Sequence, residues 1–353
     1  MKVIHITRFL SLFFVILFAN NGMAAPTVSG VAGTIAQNQS ITVNGSSFGS
    51  HTDYHDSNQT GQLNWSWQSW RDTLENNGYS CGTTPSSAFW SLSNSSPRIS
   101  GTSFARRNNT SGSNTNVAGE QRTAGVLPGF YYISYWQRIA SSAFAGKISR
   151  FASSNFNSND YWLSTAGGLG TVGSNDALIC YGGSIPYTSG EWQRIDLVLD
   201  ANANTQSQII VGQNSNNNVW SGQNYSCGSQ NISNLNPSTG GSFQVNMGAG
   251  LDPGVIIDFS DLYIDFTQAR VEVCDSSTWA ARTHCEIQVP QAWTASSLTA
   301  KVNQGSFANG SNAYLYAVDS SGNVSNGYSI TFGGSGSIGL NPPTNLKILS
   351  ALP

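Results

Sequence analysis

Tyr131-Tyr132-Ile133-Ser134-Tyr135-Trp136-Gln137-Arg138 is the stretch that decides the fold class. It is rich in aromatic and β-branched residues, and side chains on a strand alternate between two faces. Tyr132, Ser134, Trp136 and Arg138 then share one face, all able to make polar contacts. Tyr131, Ile133 and Tyr135 share the other and read as packing. Working outward, the same short runs recur between Gly, Asn and Ser punctuation. They are Ser40–Val43, Gln193–Leu199, Gln208–Val211, Val255–Asp258, Leu262–Asp265, Ala313–Val318 and Tyr328–Phe332. Helical periodicity is almost absent, so the chain is expected to be all-β, built of sandwiches or barrels.

Composition agrees. Of 353 residues only 9% are charged and 11% are aromatic, with Asn, Ser, Gly and Thr taking the place of charge. Such a chain has the aromatics to build a core, which disordered polar tracts lack. The net charge of −3 and the absence of a basic patch or basic amphipathic segment argue against nucleic acid and membrane surfaces. At the start, Lys2 and Arg8 precede the apolar run Phe9–Ala19, and the small residues of Gly22-Met23-Ala24 follow. That pattern reads as a secretory signal over residues 1–24, too short to span a membrane. The mature protein is therefore expected to be secreted or at the cell surface, without membrane insertion. There, disulfides are the default for cysteine. Cys274 and Cys285 flank a short connection between two apparent strands and are expected to pair. Cys180 with Cys227 is a plausible second bridge, and Cys81 is left over. Connectivity is not fixed by sequence.

Both ends of the chain carry a family resemblance. Pro26-Thr27-Val28-Ser29-Gly30, then Gln39–Gly49, resembles the opening of an IPT/TIG domain, a small immunoglobulin-like module. The rest of that pattern comes only much later, at Ala269–Val273, Glu286–Pro290 and Gly322–Phe332. One Ig-like sandwich over 25–50 and 267–333, interrupted by a domain-sized insertion, is the economical explanation. Two unrelated β segments with similar edges are the alternative. The insertion, 51–266, resembles the concanavalin-A-like jelly rolls at Tyr132–Arg138, Lys147–Phe151, Gly190–Ile195 and Asp261–Asp265. The whole is then an Ig-like β-sandwich plus a larger antiparallel jelly-roll β-sandwich. Residues 334–353 make a linker and tail, opening on Gly333–Ser337.

The chemistry-bearing residues point to sugar. Trp65 and Trp67 are two apart, hence on one face of a strand, and flat aromatic pairs stack on the apolar faces of pyranose rings. Tyr132, Trp136, Arg138 and Arg150 complete the candidate carbohydrate-binding set, with Lys147 beside it; arginine can grip carboxylates or sulfates in bidentate fashion. In jelly rolls of the resembled kind a concave sheet face is the usual glycan groove. Each of these residues has an ordinary structural alternative, as core or as surface ion pair.

The protein is thus expected to bind an extracellular polysaccharide. The jelly-roll lyases supply the enzymatic alternative, with a Tyr base on the same face acting on a uronate polymer. Yet the Gln-x-His and Arg-x-Glu-x-Arg patterns of one such alginate lyase family and the Glu-x-Asp-x-x-Glu of glycoside hydrolases are absent. No catalytic residue is therefore named. A structural subunit that self-assembles is the third reading. No cofactor is expected. Asp258, Asp261 and Asp265 could serve a structural calcium, and His51-Thr52-Asp53-Tyr54-His55-Asp56 is a His/Asp cluster to which no metal is assigned.

Overall fold

The computed structural model describes residues 24–51, 90–93, 95–99, 104–108, 119–123, 130–140, 147–152, 160–164, 170–172, 178–181, 189–200, 205–212, 223–226, 242–247, 255–265 and 267–336. The signal-like segment, Trp65, Trp67, Cys81, Cys227 and His55 lie outside them.

The protein is all-β. In chain order the strands are β1 (Thr27–Thr34), β2 (Ser40–Ser46), β3 (Trp90–Ser93), β4 (Phe104–Asn108), β5 (Gly119–Thr123), β6 (Phe130–Ile139) and β7 (Lys147–Ala152). They continue with β8 (Asp160–Ser164), β9 (Gly170–Val172), β10 (Leu178–Tyr181), β11 (Trp192–Asp200), β12 (Thr205–Gly212), β13 (Gln223–Ser226), β14 (Ser242–Met247) and β15 (Ile256–Asp265). The last are β16 (Arg270–Cys274), β17 (Cys285–Trp293), β18 (Ser297–Lys301), β19 (Asn312–Val318), β20 (Tyr328–Thr331) and β21 (Ser335–Gly336). Among the described residues no helix is long and apolar enough to cross a membrane.

Strands from both ends of the chain lie in one connected sheet, in the order β20-β19-β16-β17-β18-β2-β1-β21. β2 pairs with β18 from Ser40↔Lys301 to Asn44↔Ser297, joining residues some 250 positions apart in sequence. The sheet folds over because β17 serves both halves. Its first residues pair with β16, and after a register shift at Pro290/Ala292 it pairs with β18. A proline beside a bulge suits such a bend, since a proline can give no ladder hydrogen bond there. Alternating residues fill the space between: Val28, Val31, Ile41, Val43, Val271, Val273, Leu298, Leu315 and Phe332 are buried in one cluster. This unit is the terminal sandwich.

Between its two halves the chain forms a second pair of antiparallel sheets. The front sheet runs β13-β12-β11-β6-β15-β4-β3 and the back sheet β10-β9-β8-β7-β14-β5. β15 absorbs both runs that the sequence suggests as separate strands, Val255–Asp258 and Leu262–Asp265. A bulge between Ser260 and Tyr263 joins them, with Asp261 at φ 53°. Asp is among the few residues that tolerate this left-handed backbone.

Candidate functional site

The register of the front sheet settles which residues share its outer face. Trp136 stands between Arg194 and Ser260, Ser134 between Asp196 and Tyr263, and Tyr132 between Val198 and Asp265. The inner face carries Ile133, Tyr135, Ile195, Ile257 and Phe259, all buried, as a sandwich interior requires. The outer face is buried as well. Strands β16 and β17 of the terminal sandwich lie against it, and Tyr132, Tyr263 and Ile287 pack in one cluster across the junction.

Arg194 centres this junction and is 1% exposed. Its Nε donates to Asp196 Oδ1 at 2.8 Å, and its Nη2 to Asp196 Oδ2 at 2.9 Å and to the Tyr132 hydroxyl at 3.0 Å. Its Nη1 crosses to Glu272 Oε2 at 2.9 Å and to the Cys285 carbonyl at 3.3 Å. Arg270 closes the chain of charges, donating to Glu272 Oε1 at 2.6 Å while its guanidinium lies 4.4 Å from the centre of the Tyr132 ring. Burial alone would raise the Glu272 carboxyl, but Arg194 and Arg270 outweigh it and hold it down at about 2. Burial pushes the Tyr132 hydroxyl far above its ordinary range.

A second knot uses Arg98, from the connection between β3 and β4. It donates to Asp261 of β15 and to Glu286 of β17, so one guanidinium bridges the two sandwiches. Its plane sits 4.3 Å from the Trp136 ring centre. His284 contacts the same indole at 5.6 Å and lies 3.1 Å from Glu286 Oε1. Burial opposes the charge on Glu286, yet Arg98 and His284 drive its carboxyl well below the usual range. Ser306 N donates to the same carboxylate at 3.2 Å, and Gly305 (φ 60°) lets the backbone lie against it where a Cβ would collide. A third contact ties the points where the chain leaves and re-enters the terminal sandwich. His51 Nε2 is 2.8 Å from Asp265 Oδ2, which also accepts from the Tyr263 hydroxyl at 2.6 Å, and the His51 ring stacks on Trp293.

These contacts correct several expectations. Tyr132 and Trp136 are 1% and 3% exposed, so neither ring face is open to a sugar. The Tyr132 hydroxyl, held by Arg194 and Asp196 and hard to ionise, is also unfit as the base of a lyase. Arg138 is a structural residue. It shares Asp258 with Arg106, lies over the Trp192 ring, and donates to the carbonyls of Ser95 and Ser96 at 3.3 and 2.6 Å. It thereby fastens the connection that carries Arg98. Asp258, Asp261 and Asp265, the residues expected to serve a structural calcium, are each engaged by a basic side chain. Among the described residues the grouping with metal-ligand geometry is Glu272, Cys274 and Cys285. Its sulfurs are joined in the Cys274–Cys285 disulfide, with Cα atoms 4.1 Å apart, so it offers no thiolates. Cys180 falls in β10.

The back sheet differs. Its register sets Asn246, Arg150, Trp162 and Val172 in one row across β14, β7, β8 and β9. Gln121, Gln244, Ala152 and Asp160 form the next row on the same face. The alternate positions are Phe243, Val245, Met247, Phe151, Tyr161 and Leu163. By register the apolar and polar sets fall on opposite faces of the sheet. Edge strand β5 departs from the rule by placing Glu120 and Arg122 with the apolar set, a known way of blunting a sheet edge. Arg150, an expected sugar-binding residue, lies in β7 at the register position between Asn246 and Trp162. Trp162 is a residue that the sequence reading missed, since Asp160-Tyr161-Trp162-Leu163-Ser164 is a short run with no cation of its own.

No family model matches the chain, and no curated protein is significantly similar in sequence. Solved structures do resemble it. Lectin II from Ulex europaeus matches at 10% identity and TM-score 0.32, over 50% of this chain and 90% of the lectin. Peanut lectin matches at 8% identity and TM-score 0.32, over 50% of this chain and 88% of that one. The xylan beta-1,4-xylosidase from Bacillus halodurans matches at 8% identity and TM-score 0.31, over 46% of this chain and 32% of the enzyme. At these values no residue and no activity carries over.

Proposed function

We propose that the protein is a secreted or cell-surface polysaccharide-binding protein whose binding face is the polar side of the back sheet. The supporting observation is the row Asn246–Arg150–Trp162 with the amide row beside it. An indole supplies an apolar platform for a sugar ring, while amides and a guanidinium supply the directional hydrogen bonds that sugar edges require. The alternation of the chain thus concentrates these groups on one side of three neighbouring strands. On this reading the terminal sandwich, whose segments resemble an IPT/TIG module split by the insertion, covers the front sheet and supports the binding unit from behind.

The test is electrophoresis of the mature protein through native gels containing neutral or uronate polysaccharides. Retardation by at least one polymer is expected, and Trp162→Ala is expected to abolish it with an unchanged melting temperature. If no polymer retards the protein, the glycan reading fails. Light scattering on the same sample would then show whether ordered self-assembly takes its place.

A further inference from the structure

Along β6 the inner face of the front sheet runs Ile133, Tyr135, Gln137 and Ile139, all buried. Gln137 interrupts an otherwise hydrocarbon and aromatic series. Across the sheet it pairs with Phe259 of β15 and with Gln193 of β11, and Gln193 pairs with Gly212 of β12, which brings no side chain to the row. Just before β11, Gly190 (φ 81°) donates its N–H to the Ile139 carbonyl at 2.7 Å. That contact lays Glu191 beside Ile139. Two positions from Gln193, Glu191 shares the inner face with both glutamines, while the intervening Trp192 goes to the other side and packs with Trp136.

These polar groups are not completed within the protein. Gln137 is 1% exposed, and neither its Oε1 nor its Nε2 meets a hydrogen-bond partner there. The inward Oε2 of the half-buried Glu191 meets none either. Other buried groups of the same kinds are matched. Gln288, buried as deeply, donates from Nε2 to the carbonyls of Glu286 and Asn303 and accepts from the Asn303 N–H. Asp196, Asp258 and Glu272 meet arginines. A buried amide or carboxylate without a partner is costly, so a native protein keeps one where something else completes it.

We propose that Glu191 and Gln137, with Gln193 as the neighbouring amide, hold a calcium ion at this end of the inserted sandwich. The row offers a carboxylate and amide carbonyls, with no sulfur or imidazole ligand, and that hard oxygen set is the one calcium takes. Calcium also tolerates irregular geometry and keeps coordinated waters, which suit the donor Nε2 of Gln137. Glu191 supplies the charge, and its half-exposed position supplies the route of entry. The ion would fasten the Gly190 turn to β6. Because the unfolded chain does not gather these groups, binding should stabilise the folded protein.

The mature protein is stripped with a chelator and titrated with calcium chloride, followed by calorimetry and by melting temperature. One ion per chain is expected, with a dissociation constant of about 0.1–1 mM, and the melting temperature should climb as calcium passes through that range. Magnesium, which demands a near-ideal octahedron, should bind at least tenfold more weakly. Glu191→Gln should weaken calcium at least tenfold, since affinity follows ligand charge. Gln137→Leu should weaken it as much. Because that change replaces an unpartnered amide with an apolar group of similar size, it should not lower the melting temperature of the metal-free protein. A metal-free Gln137→Leu protein that melts below the parent would show that an internal water completes the amide, and the proposal would fall. A stripped parent that binds no calcium would overturn it too, as would calcium binding that both variants leave unchanged.

Discussion

The covered face of the front sheet and the polar register rows of the back sheet carry the same kinds of residue. On the front sheet Tyr132, Trp136 and Arg194 sit with Asp196, Ser260 and Asp265, closed under β16 and β17. On the back sheet Arg150 and Trp162 sit with Asn246 and Gln244, and no described strand of the terminal sandwich pairs with that sheet. An aromatic residue beside a cation is thus not by itself a binding site. On the front face the cations are matched within the protein. The front face and its cover bring Asp196, Asp261, Glu272 and Glu286 to their arginines. A cation already matched inside the protein has nothing left to offer an anionic ligand.

The largest effect that would break this comparison is expected from Arg194→Ala. It leaves Asp196 and Glu272 buried without their shared partner, and removing one member of a buried pair costs about 3–5 kcal/mol. The denaturant midpoint should drop accordingly. A loss below about 1 kcal/mol would be the value of an exposed pair. It would show that the junction is open in solution, and Tyr132 and Trp136 would become sugar-facing candidates again.

Trp136→Ala and Trp162→Ala form the direct contrast. The first removes a buried indole packed against Arg98 and His284, and should cost roughly 3–5 kcal/mol of stability through the cavity it leaves. The second should cost little in stability and abolish binding. A stable Trp136→Ala protein with impaired binding would reverse the assignment of the two faces.

Opening the Cys274–Cys285 bridge comes next. It closes a loop with a sequence separation of 11 at the tip of β16 and β17, the strands that cover the front sheet. Cys274→Ser should lower stability by about 2–4 kcal/mol. Reductant should lower the melting temperature of the parent and leave that of the variant unchanged.

The junction also sets the acid behaviour. Glu272, at about 2, and Glu286, lowered further still, are ionised more readily in the folded protein than in the unfolded chain. Unfolding then takes up protons, so the stability they contribute is full above an unfolded carboxyl value of about 4.3 and is lost as the pH falls toward 2. Urea midpoints should therefore be steady from neutrality to about pH 5 and decline below it. Glu272→Gln should flatten that decline while lowering the plateau, because Arg194 and Arg270 lose their shared anion. A decline as steep as the parent's would remove Glu272 from the set of titrating groups.

Much of the fold is legible in the sequence. Ser40–Val43, Tyr131–Trp136, Gln193–Leu199, Gln208–Val211 and Ala313–Val318 all fall inside observed strands, because alternation and β-branched composition act locally. The bulged β15 looks like separate strands in the sequence, since Phe259-Ser260-Asp261 interrupts the alternation that the bulge restores. Arg98 is not legible in the sequence, since nothing around Ser96-Pro97-Arg98 marks a residue that ends 8% exposed between two sandwiches. Its partners Asp261 and Glu286 are 163 and 188 positions away.

The sequence by itself determined that the chain is β throughout, where most strands run, which residues share a face within one strand, and that Cys274 and Cys285 could meet. These are consequences of a period of two and of short separations. Only the tertiary structure decided that the polar face of the front sheet would be covered. That depends on carboxylates delivered by strands that return after the insertion, Glu272 and Glu286. It leaves no mark within the few residues that a local pattern can span, because burial and charge compensation are properties of segments brought together from distant parts of the chain.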